Sequence, residues 1–231
     1  MRILIALSLL MCGIVHAETR VPVLVELFTS EGCSSCPPAD KLLAELAATQ
    51  PLQNANIIVL SEHVDYWNTL GWKDPFSSKA FSQRQEFYAR IMETSDIYTP
   101  QAVIDGHYST VGSNRPNVLK ALQSSAGNPK EELALSVKHD GDGILVDLAH
   151  AAKGEVWVAV TQNKAISRVA GGENGGRTLS HVGVVRSLTK VSGNQAHVSL
   201  DKNWQGDLKV VAFVQDAHSG RIVQVAQSAI L

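Results

Sequence analysis

Two cysteines separated by two serines, Cys33 and Cys36, constrain this chain more than any other feature. The sequence holds one further cysteine, Cys12, in a stretch that has the pattern of a secretory signal: one basic residue, an apolar run and a small residue, Ala17, at its end. If this segment, residues 1–17, is removed, a periplasmic or secreted protein with one dithiol remains. In such an oxidising compartment a C-x-x-C pair is first of all a candidate redox centre.

Three other interpretations of the pair stay open. A bridge over about four residues contributes only roughly 2 kcal/mol in the chain-entropy view, so an inert structural bridge is a weak staple. The pair is also half of a zinc site, although the sequence offers no second cysteine pair to complete it. Finally, Cys33, Cys36 and His63 form a candidate copper site, since soft thiolates and imidazole suit copper.

The composition limits the kinds of partner that this protein is expected to bind. The formal net charge is −2, which gives no electrostatic reason to expect nucleic acid or anionic lipid as a partner. Beyond residue 17 no apolar run approaches 18 residues, so we expect no membrane span. Hydrophobic residues make up 45% of the chain, which is enough for one large core or two smaller ones. The sequence leaves the oligomeric state open.

The first half of the chain has alternating signals for strands and helices. Short β-branched runs predict strands, and apolar residues at helical spacing predict helices, in the order β-α-β-α-β-β-α. The predicted segments are residues 21–28, 41–48, 56–61, 78–92, 98–105, 108–111 and 117–126. This order resembles the thioredoxin topology, so we expect an α/β thioredoxin-like N-terminal domain over residues 21–128, with an insertion at about 63–95.

The thioredoxin resemblance implies roles for several residues. Cys33 is the attacking thiol and Cys36 the resolving one. Pro100 is a cis-proline beside the disulfide, and the backbone of Thr99 faces the substrate. Glu26, in the strand before the motif, corresponds to a buried acid that assists proton transfer, although it stands seven residues before Cys33 rather than the usual six. The alternative for Glu26 is an ordinary strand glutamate.

Aromatic residues gather in the insertion and before Pro100. They are Tyr66, Trp67, Trp72 and Tyr98. One interpretation is a satellite hydrophobic core, and the functional one is a wall of a substrate groove next to the disulfide.

The second half of the chain predicts strands separated by turns. The runs are residues 132–138, 144–151, 155–162, 181–191, 195–200, 208–215 and 221–228. They favour an all-β immunoglobulin-like sandwich C-terminal domain over residues 131–231. A glycine-rich loop at residues 171–178 interrupts them, either as a solvated loop held by an internal ion pair or as a loop docked against the first half.

Several motifs together resemble a bacterial secreted family catalogued as domain of unknown function 1223. They are the stretch 25–40, Tyr66-Trp67, Gly71-Trp72, Tyr98-Thr99-Pro100-Gln101, Gly172-Glu173-Asn174 and Gly176-Arg177-Thr178-Leu179. The resemblance implies export and a thioredoxin-like front domain, and it implies no reaction.

The sequence therefore favours an exported thiol–disulfide oxidoreductase that acts through a mixed disulfide on protein or small thiol partners, without a metal or organic cofactor. A copper or other metal carrier and a non-catalytic binding module are the alternatives. The redox hypothesis requires a sulfur that a partner can reach.

Overall fold

This computed structural model describes residues 20–204 and 206–230 of the protein. The predicted signal segment, residues 1–17 with Cys12, lies outside the described residues, so it stays a prediction. Within the described residues, no helix is both long enough and apolar enough to cross a lipid bilayer.

The first half alternates strands with helices, and the described second half is built of strands. The first-half elements are β1 (Val21–Thr29), α1 (Pro37–Thr49), β2 (Ala55–His63), α2 (Lys79–Ile91), β3 (Gln101–Ile104), β4 (Tyr108–Val111) and α3 (Arg115–Ala126). The second-half strands are β5 (Ala134–Asp140), β6 (Gly143–Ala149), β7 (Glu155–Gln162), β8 (Ala165–Arg168), β9 (Thr178–His181), β10 (Val184–Val191), β11 (Gln195–Ser199), β12 (Leu208–Gln215) and β13 (Ile222–Ala229).

Strands from both halves form one mixed sheet of eight strands, in the order β13-β12-β7-β10-β2-β1-β3-β4. In its centre β1 and β2 are parallel, and β10 joins the other edge of β2, also in parallel, at the pair Val184 and Ser61. The strands β11, β6 and β5 form a separate three-stranded sheet, and β8 pairs with β9.

The expected fold class, an α/β thioredoxin-like domain followed by an all-β immunoglobulin-like sandwich, is therefore wrong. The protein is mostly β-structure, and its main sheet runs through both halves of the chain. The physical reason is that an open edge of β2 would present unpaired N–H and C=O groups, which β10 partly covers. Local patterns reveal that a segment is a strand, but they do not reveal which edge it pairs with.

Both faces of the central strand β1 are buried, which explains its continuous apolar run. Val25 and Leu27 pack in one cluster with residues of α1 and α3. Leu24 packs on the other face with Phe81 of α2, and Phe28 packs there with Tyr88 of the same helix. Alternate side chains of β1 thus face two different helical layers.

Helix α1 begins directly after the cysteine pair. Cys36 occupies the N-cap position, and Pro37 and Pro38 fill the first turn, where a missing N–H is tolerated. The helix runs to Thr49 and ends at Gln50 in a left-handed conformation. The cysteine turn is therefore held at the N-terminus of a helix that is packed on β1 and β2.

The junction between the two halves depends on Gly183. Its carbonyl accepts a hydrogen bond of 2.8 Å from the N–H of Ser61. Its φ is +60°, and a Cβ at this position would lie only 2.6 Å from the backbone oxygen of Val59. A side chain there would push β10 away from β2.

We expect Gly183→Ala to lower the free energy of unfolding by about 1–3 kcal/mol more than Gly141→Ala, because only the first adds a clash with packed backbone. Gly141 is a matched control: its φ is +59°, and a Cβ there would meet nothing within 4 Å. Urea unfolding of the two variants measures the difference. An equal decrease in the free energy of unfolding of both variants would mean that the close approach of Gly183 to Val59 does not contribute to stability.

Candidate functional site

Cys33 and Cys36 form a disulfide, with their Cα atoms 5.4 Å apart. The turn that holds them is closed by backbone hydrogen bonds, from the Cys33 N–H to Ser30 O and from the Cys36 N–H to Cys33 O, both 3.2 Å. The carbonyl of Cys36 accepts the N–H groups of Ala39 and Asp40 in the first turn of α1. The sulfurs therefore lie at the positive end of a helix dipole, which favours a thiolate over a thiol.

Both cysteines are covered in this closed arrangement. Each is 0% exposed, whereas Ser34 and Ser35 between them are exposed. The surroundings include polar groups: Cys33 Sγ lies 3.3 Å from Ser35 Oγ, and neither cysteine belongs to one of the apolar core clusters. The requirement for a reachable sulfur is thus met only if the covering groups move.

The glycine-rich loop between β8 and β9, residues 171–177, packs on the backbone of the cysteine turn, and we call it the clamp loop. Asn174 Nδ2 donates hydrogen bonds of 2.9 Å to two backbone carbonyls, Glu31 O and Cys33 O. The Ser34 N–H donates to the Glu173 carboxylate at 2.8 Å. The second of the two sequence-based interpretations of this loop, docking against the first half, is the one that the contacts support.

Glycines allow the clamp loop to come this close. A Cβ at Gly171 would lie 2.3 Å from the backbone oxygen of Gly71, and a Cβ at Gly172 would lie 3.1 Å from Trp72 Cβ. Gly172 also has φ +68°, a region that glycine enters without a steric penalty. The Gly71-Trp72 and Gly171–Gly172 segments therefore touch through their backbones, and larger residues would hold the clamp loop away from the cysteines.

Pro100 lies beside the first turn of α1. The Thr99–Pro100 peptide bond is cis, and the Pro100 carbonyl accepts the N–H of Gly112 at 2.9 Å. A Cβ at Gly112 would lie 3.1 Å from Ala39 Cβ and 3.5 Å from Pro100 Cβ, so the helix start and the proline flank the same glycine. The structure thus brings Pro100 next to the helix that carries Cys36.

Of the predicted groove aromatics, Trp67 and Trp72 contact residues just before Cys33, whereas Tyr66 and Tyr98 contact Gln85 of α2. Trp67 packs on Gly32, where a Cβ would lie 3.3 Å from Trp67 Cβ, and its Nε1 donates to Thr99 Oγ1 at 2.9 Å. Tyr66 remains 39% exposed and donates its hydroxyl hydrogen to Gln85, whose amide in turn donates to the Tyr98 carbonyl. Burial raises the pKa of Tyr66 to about 12.

Trp72 does not line an open groove. Its indole Nε1 donates a hydrogen bond of 2.8 Å to Glu31 Oε2 in the buried layer near the disulfide. Its backbone side is covered by Gly172 of the clamp loop. Trp72 therefore fixes a carboxylate beside the cysteines.

Glu26 is not brought to the disulfide. It has the same orientation as Leu24 and Phe28 and faces α2, where Arg84 Nε and the Tyr88 hydroxyl both bond its carboxylate. Side chains alternate along a strand, so Glu26 points away from the face on which α1 packs. Its contacts are those of a buried structural ion pair.

A second carboxyl group shares this ion pair. Glu62 is fully buried, its Oε1 lies 3.6 Å from Arg84 Nε, and its oxygens have no hydrogen-bond partner among the described residues. Burial, with the charge of Glu26 added, raises the pKa of Glu62 well above its ordinary value, against the opposing charge of Arg84. The Arg84 guanidinium is thus the shared counter-ion of two buried carboxyl groups, Glu26 and Glu62.

A different set of charged groups lies on the face of the sheet that α1 covers, around the cysteine pair. Glu31 precedes Cys33 by two residues, and Asp40 follows Cys36 by four, one turn along α1. His181 of β9 lies between them, with Nε2 3.3 Å from Glu31 Oε1 and Nδ1 3.7 Å from Asp40 Oδ2. All three residues are buried. The sequence shows the two acids on either side of the C-x-x-C motif, so their place near the cysteines could have been predicted. Their partner His181 is too remote in sequence to be found in this way.

His63 pairs with a carboxylate and not with the cysteines. Its Nδ1 lies 2.7 Å from Asp74 Oδ2, and the same oxygen accepts the N–H of Glu31 at 2.8 Å. Burial by itself would raise the pKa of Asp74, but His63 and these hydrogen bonds hold it below its usual value. Among residues 20–204 and 206–230, no three His, Cys, Asp or Glu side chains are grouped so that they could hold a metal ion.

The sequence profile of a family described as a protein of unknown function (DUF1223) matches residues 24–223, and the chain belongs to this family. The crystal structure of protein AGR_C_4864 from Agrobacterium tumefaciens is similar, with 30% identity and a TM-score of 0.66 over 93% of this chain and 96% of that one. HBP35 of Porphyromonas gingivalis resembles the fold at 16% identity, with a TM-score of 0.61 over 91% of this chain and 76% of that one. No curated protein matches the sequence.

We expect Glu62→Gln to flatten the fall of stability with pH. The unfolded Glu62 titrates near pH 4.3, and its folded pKa is raised, so the folded state holds a proton that the unfolded state has already released. Stability is therefore lost as pH rises from about 4.3 through the folded pKa. Gln stays neutral throughout, and the variant gains stability over the wild type as pH rises through that window.

Thermal or urea unfolding between pH 4 and pH 9 measures this effect. Glu45→Gln is the control, because Glu45 belongs to an exposed pair with Arg115 and its loss should change stability by less than about 1 kcal/mol. If Glu62→Gln and the wild type lose stability in parallel, Glu62 is not the buried acid described above.

Proposed function

We propose that this protein is an exported thiol–disulfide oxidoreductase whose redox centre is Cys33–Cys36. The observation that carries the proposal is the disulfide at the N-terminus of α1. The cis-proline Pro100 flanks the first turn of the same helix, and the buried acids Glu31 and Asp40 stand on either side of the cysteine pair in the chain, which supports the proposal. A bridge that closes so short a loop adds little stability, and an inert bridge has no need of this environment. Metal and organic cofactors have no part in the proposed chemistry.

The proposed reaction is two successive thiol–disulfide exchanges. In the reducing direction, the Cys33 thiolate attacks one sulfur of a substrate disulfide, a Cys33–substrate bond forms, and the other substrate sulfur leaves as a thiolate. Cys36 then loses its proton and attacks Cys33, which restores the Cys33–Cys36 bond and releases the second substrate sulfur. The substrate gains two electrons, the protein dithiol loses two, and the oxidising direction is the same sequence in reverse.

Side chains near the turn support Cys33 as the attacking thiol. Ser35 Oγ lies 3.3 Å from its sulfur and can donate a hydrogen bond to a thiolate there. Cys36, as the N-cap of α1, is followed by Pro37 and Pro38 and leads straight into the buried helix. The resolving role suits a sulfur that no substrate has to reach.

Exposed apolar side chains favour a protein substrate over a small thiol. Four of them directly precede, in the sequence, residues that contact the surroundings of the cysteine turn: Leu70 precedes Gly71, Ile97 precedes Tyr98, Val111 precedes Gly112 and Ile166 precedes Ser167. Ser167 in turn donates its hydroxyl hydrogen to Glu31 at 3.2 Å. A polypeptide substrate that docks at the cysteine turn would bury such apolar side chains, whereas a small thiol would leave them exposed.

The first prediction separates the two cysteines. We expect Cys33→Ser to abolish disulfide exchange, because it removes the attacking sulfur, and Cys36→Ser to accumulate mixed disulfides, because nothing resolves them. Insulin reduction with glutathione as the electron source measures the first, and non-reducing electrophoresis measures the second. Ser192→Ala, at an exposed bend between β10 and β11, is the control and should retain activity. An unchanged insulin-reduction rate in Cys33→Ser would refute the proposal.

The second prediction concerns the clamp loop. Asn174→Ala removes two buried hydrogen bonds that hold the clamp loop against the cysteine turn. Each of these hydrogen bonds contributes about 1 kcal/mol. The cost of opening then falls by about 2 kcal/mol, so we expect dithiothreitol to reduce Cys33–Cys36 at least about tenfold faster. Asn203→Ala, in an exposed turn where Asn203 contacts Asp201, should leave the rate unchanged. Equal rates in both variants would show that the clamp loop does not limit access.

A further inference from the structure

We propose that His181 is a positioning residue whose positive charge offsets Glu31 and Asp40 and thereby allows a thiolate to form at the reduced Cys33–Cys36 pair. The inference rests on the proposed redox function of this pair. It assigns a role in that function to a residue from the second half of the chain. The positive charge of this residue adds to the effect of the helix dipole and is not part of the C-x-x-C motif.

The two acids flank the cysteine pair in the chain, two residues before Cys33 and four after Cys36, and hydrogen bonds hold both of them in place. Glu31 Oε2 accepts hydrogen bonds from Trp72 Nε1 at 2.8 Å and from Ser167 Oγ at 3.2 Å. Asp40 Oδ1 accepts the Thr29 hydroxyl at 3.0 Å, and residues four apart on a helix share a face, so Asp40 lies under Cys36. Neither carboxylate is free to turn to solvent. A nearby carboxylate repels a thiolate and raises the pKa of a thiol.

His181 is placed to cancel that repulsion. Each of its ring nitrogens faces one of the two carboxylates, at 3.3 Å from Glu31 and 3.7 Å from Asp40, and neither nitrogen has a hydrogen-bond partner among the described residues. Burial by itself would lower the pKa of His181, but Asp40 and Glu31 outweigh burial and raise it to about 9. The imidazole therefore carries a proton at neutral pH.

Other charged groups around His181 leave this balance in place. The His63 ring meets the His181 ring edge-on with centroids 4.8 Å apart, and His63 already has its own carboxylate, Asp74. Phe76 packs edge-on against both imidazoles, and the Arg186 guanidinium lies 5.2 Å from the centre of the Phe76 ring. His181 is thus the cation in direct ion-pair contact with Glu31 and Asp40 among the described residues.

The charge of His181 matters when the disulfide is reduced. Breaking the Cys33–Cys36 bond with two electrons from a dithiol reductant leaves one thiolate and one thiol after uptake of one proton, while the reductant becomes a disulfide. The new negative charge enters a site that already holds Glu31 and Asp40. With His181 protonated, the thiolate is tolerated; without that proton, the site favours a second proton on sulfur.

The test is the thiol pKa of the fully reduced protein, read from the pH dependence of iodoacetamide alkylation. We expect His181→Gln to raise the pKa of the most reactive thiol by about 1, which cuts the alkylation rate at pH 7 about tenfold. The double variant His181→Gln with Glu31→Gln should restore the wild-type value, because it removes the acid that was left uncompensated. His197→Gln is the matched control, since His197 pairs with Asp140 on the surface.

An unchanged thiol pKa in His181→Gln, or a raised pKa that Glu31→Gln does not reverse, would overturn the proposal. If His181→Gln fails to fold, single Glu31→Gln and Asp40→Asn variants replace it: each should lower the thiol pKa, and no change in either refutes the idea. Alkylation needs no turnover. A wild-type protein that is inactive on insulin would therefore refute the oxidoreductase, while the pKa results would still decide the role of His181.

Discussion

The pairing of β10 with β2 is the contact on which the rest of the site depends. It starts where the Ser61 N–H meets the carbonyl of Gly183, and His181 stands two residues before that glycine. Because β2 is packed under α1, this single junction brings β9 beneath the helix that carries Cys36 and brings the clamp loop over the cysteine turn. A chain divided into two independent halves would leave the dithiol without His181 and without Asn174.

Two groups of buried charges are kept apart by the central sheet. On the α2 face Arg84 forms ion pairs with Glu26 and Glu62, and no cysteine is among their contacts in the described residues. On the α1 face His181 serves Glu31 and Asp40 beside the dithiol. Because strand side chains alternate, a difference of one position in β1 decides which group a residue joins. Both groups have fewer cations than carboxylates, so each is sensitive to the loss of its one cation.

Local structure was largely predictable from the sequence, and long-range pairing was not. The strands at 155–162 and 208–215 are observed with the predicted bounds. The helix predicted at 41–48 is also observed, but it begins earlier, at Pro37, directly after the cysteine pair. The predicted strand at 181–191 is in fact divided, because Gly183 adopts a positive φ between β9 and β10. The thioredoxin resemblance implied that Glu26 serves the dithiol, but the alternation of side chains in β1 directs Glu26 towards α2. Asn174 meets the carbonyl of Cys33 across 141 positions of sequence, and His181 meets Glu31 across a similar separation. No local pattern encodes these contacts.

Access to the disulfide and ionisation of Cys33 are physically coupled through the clamp loop. While it is closed, Glu173 holds the N–H of Ser34, and this donor is then not available to the neighbouring sulfur. The carboxylate of Glu173 also adds negative charge beside the turn. Opening the clamp loop removes that charge and frees the N–H at the same moment that it uncovers Cys33. In the proposed reaction, a partner that displaces the clamp loop would therefore gain both a reachable sulfur and a more acidic thiol, whereas the closed arrangement would protect the disulfide from other thiols.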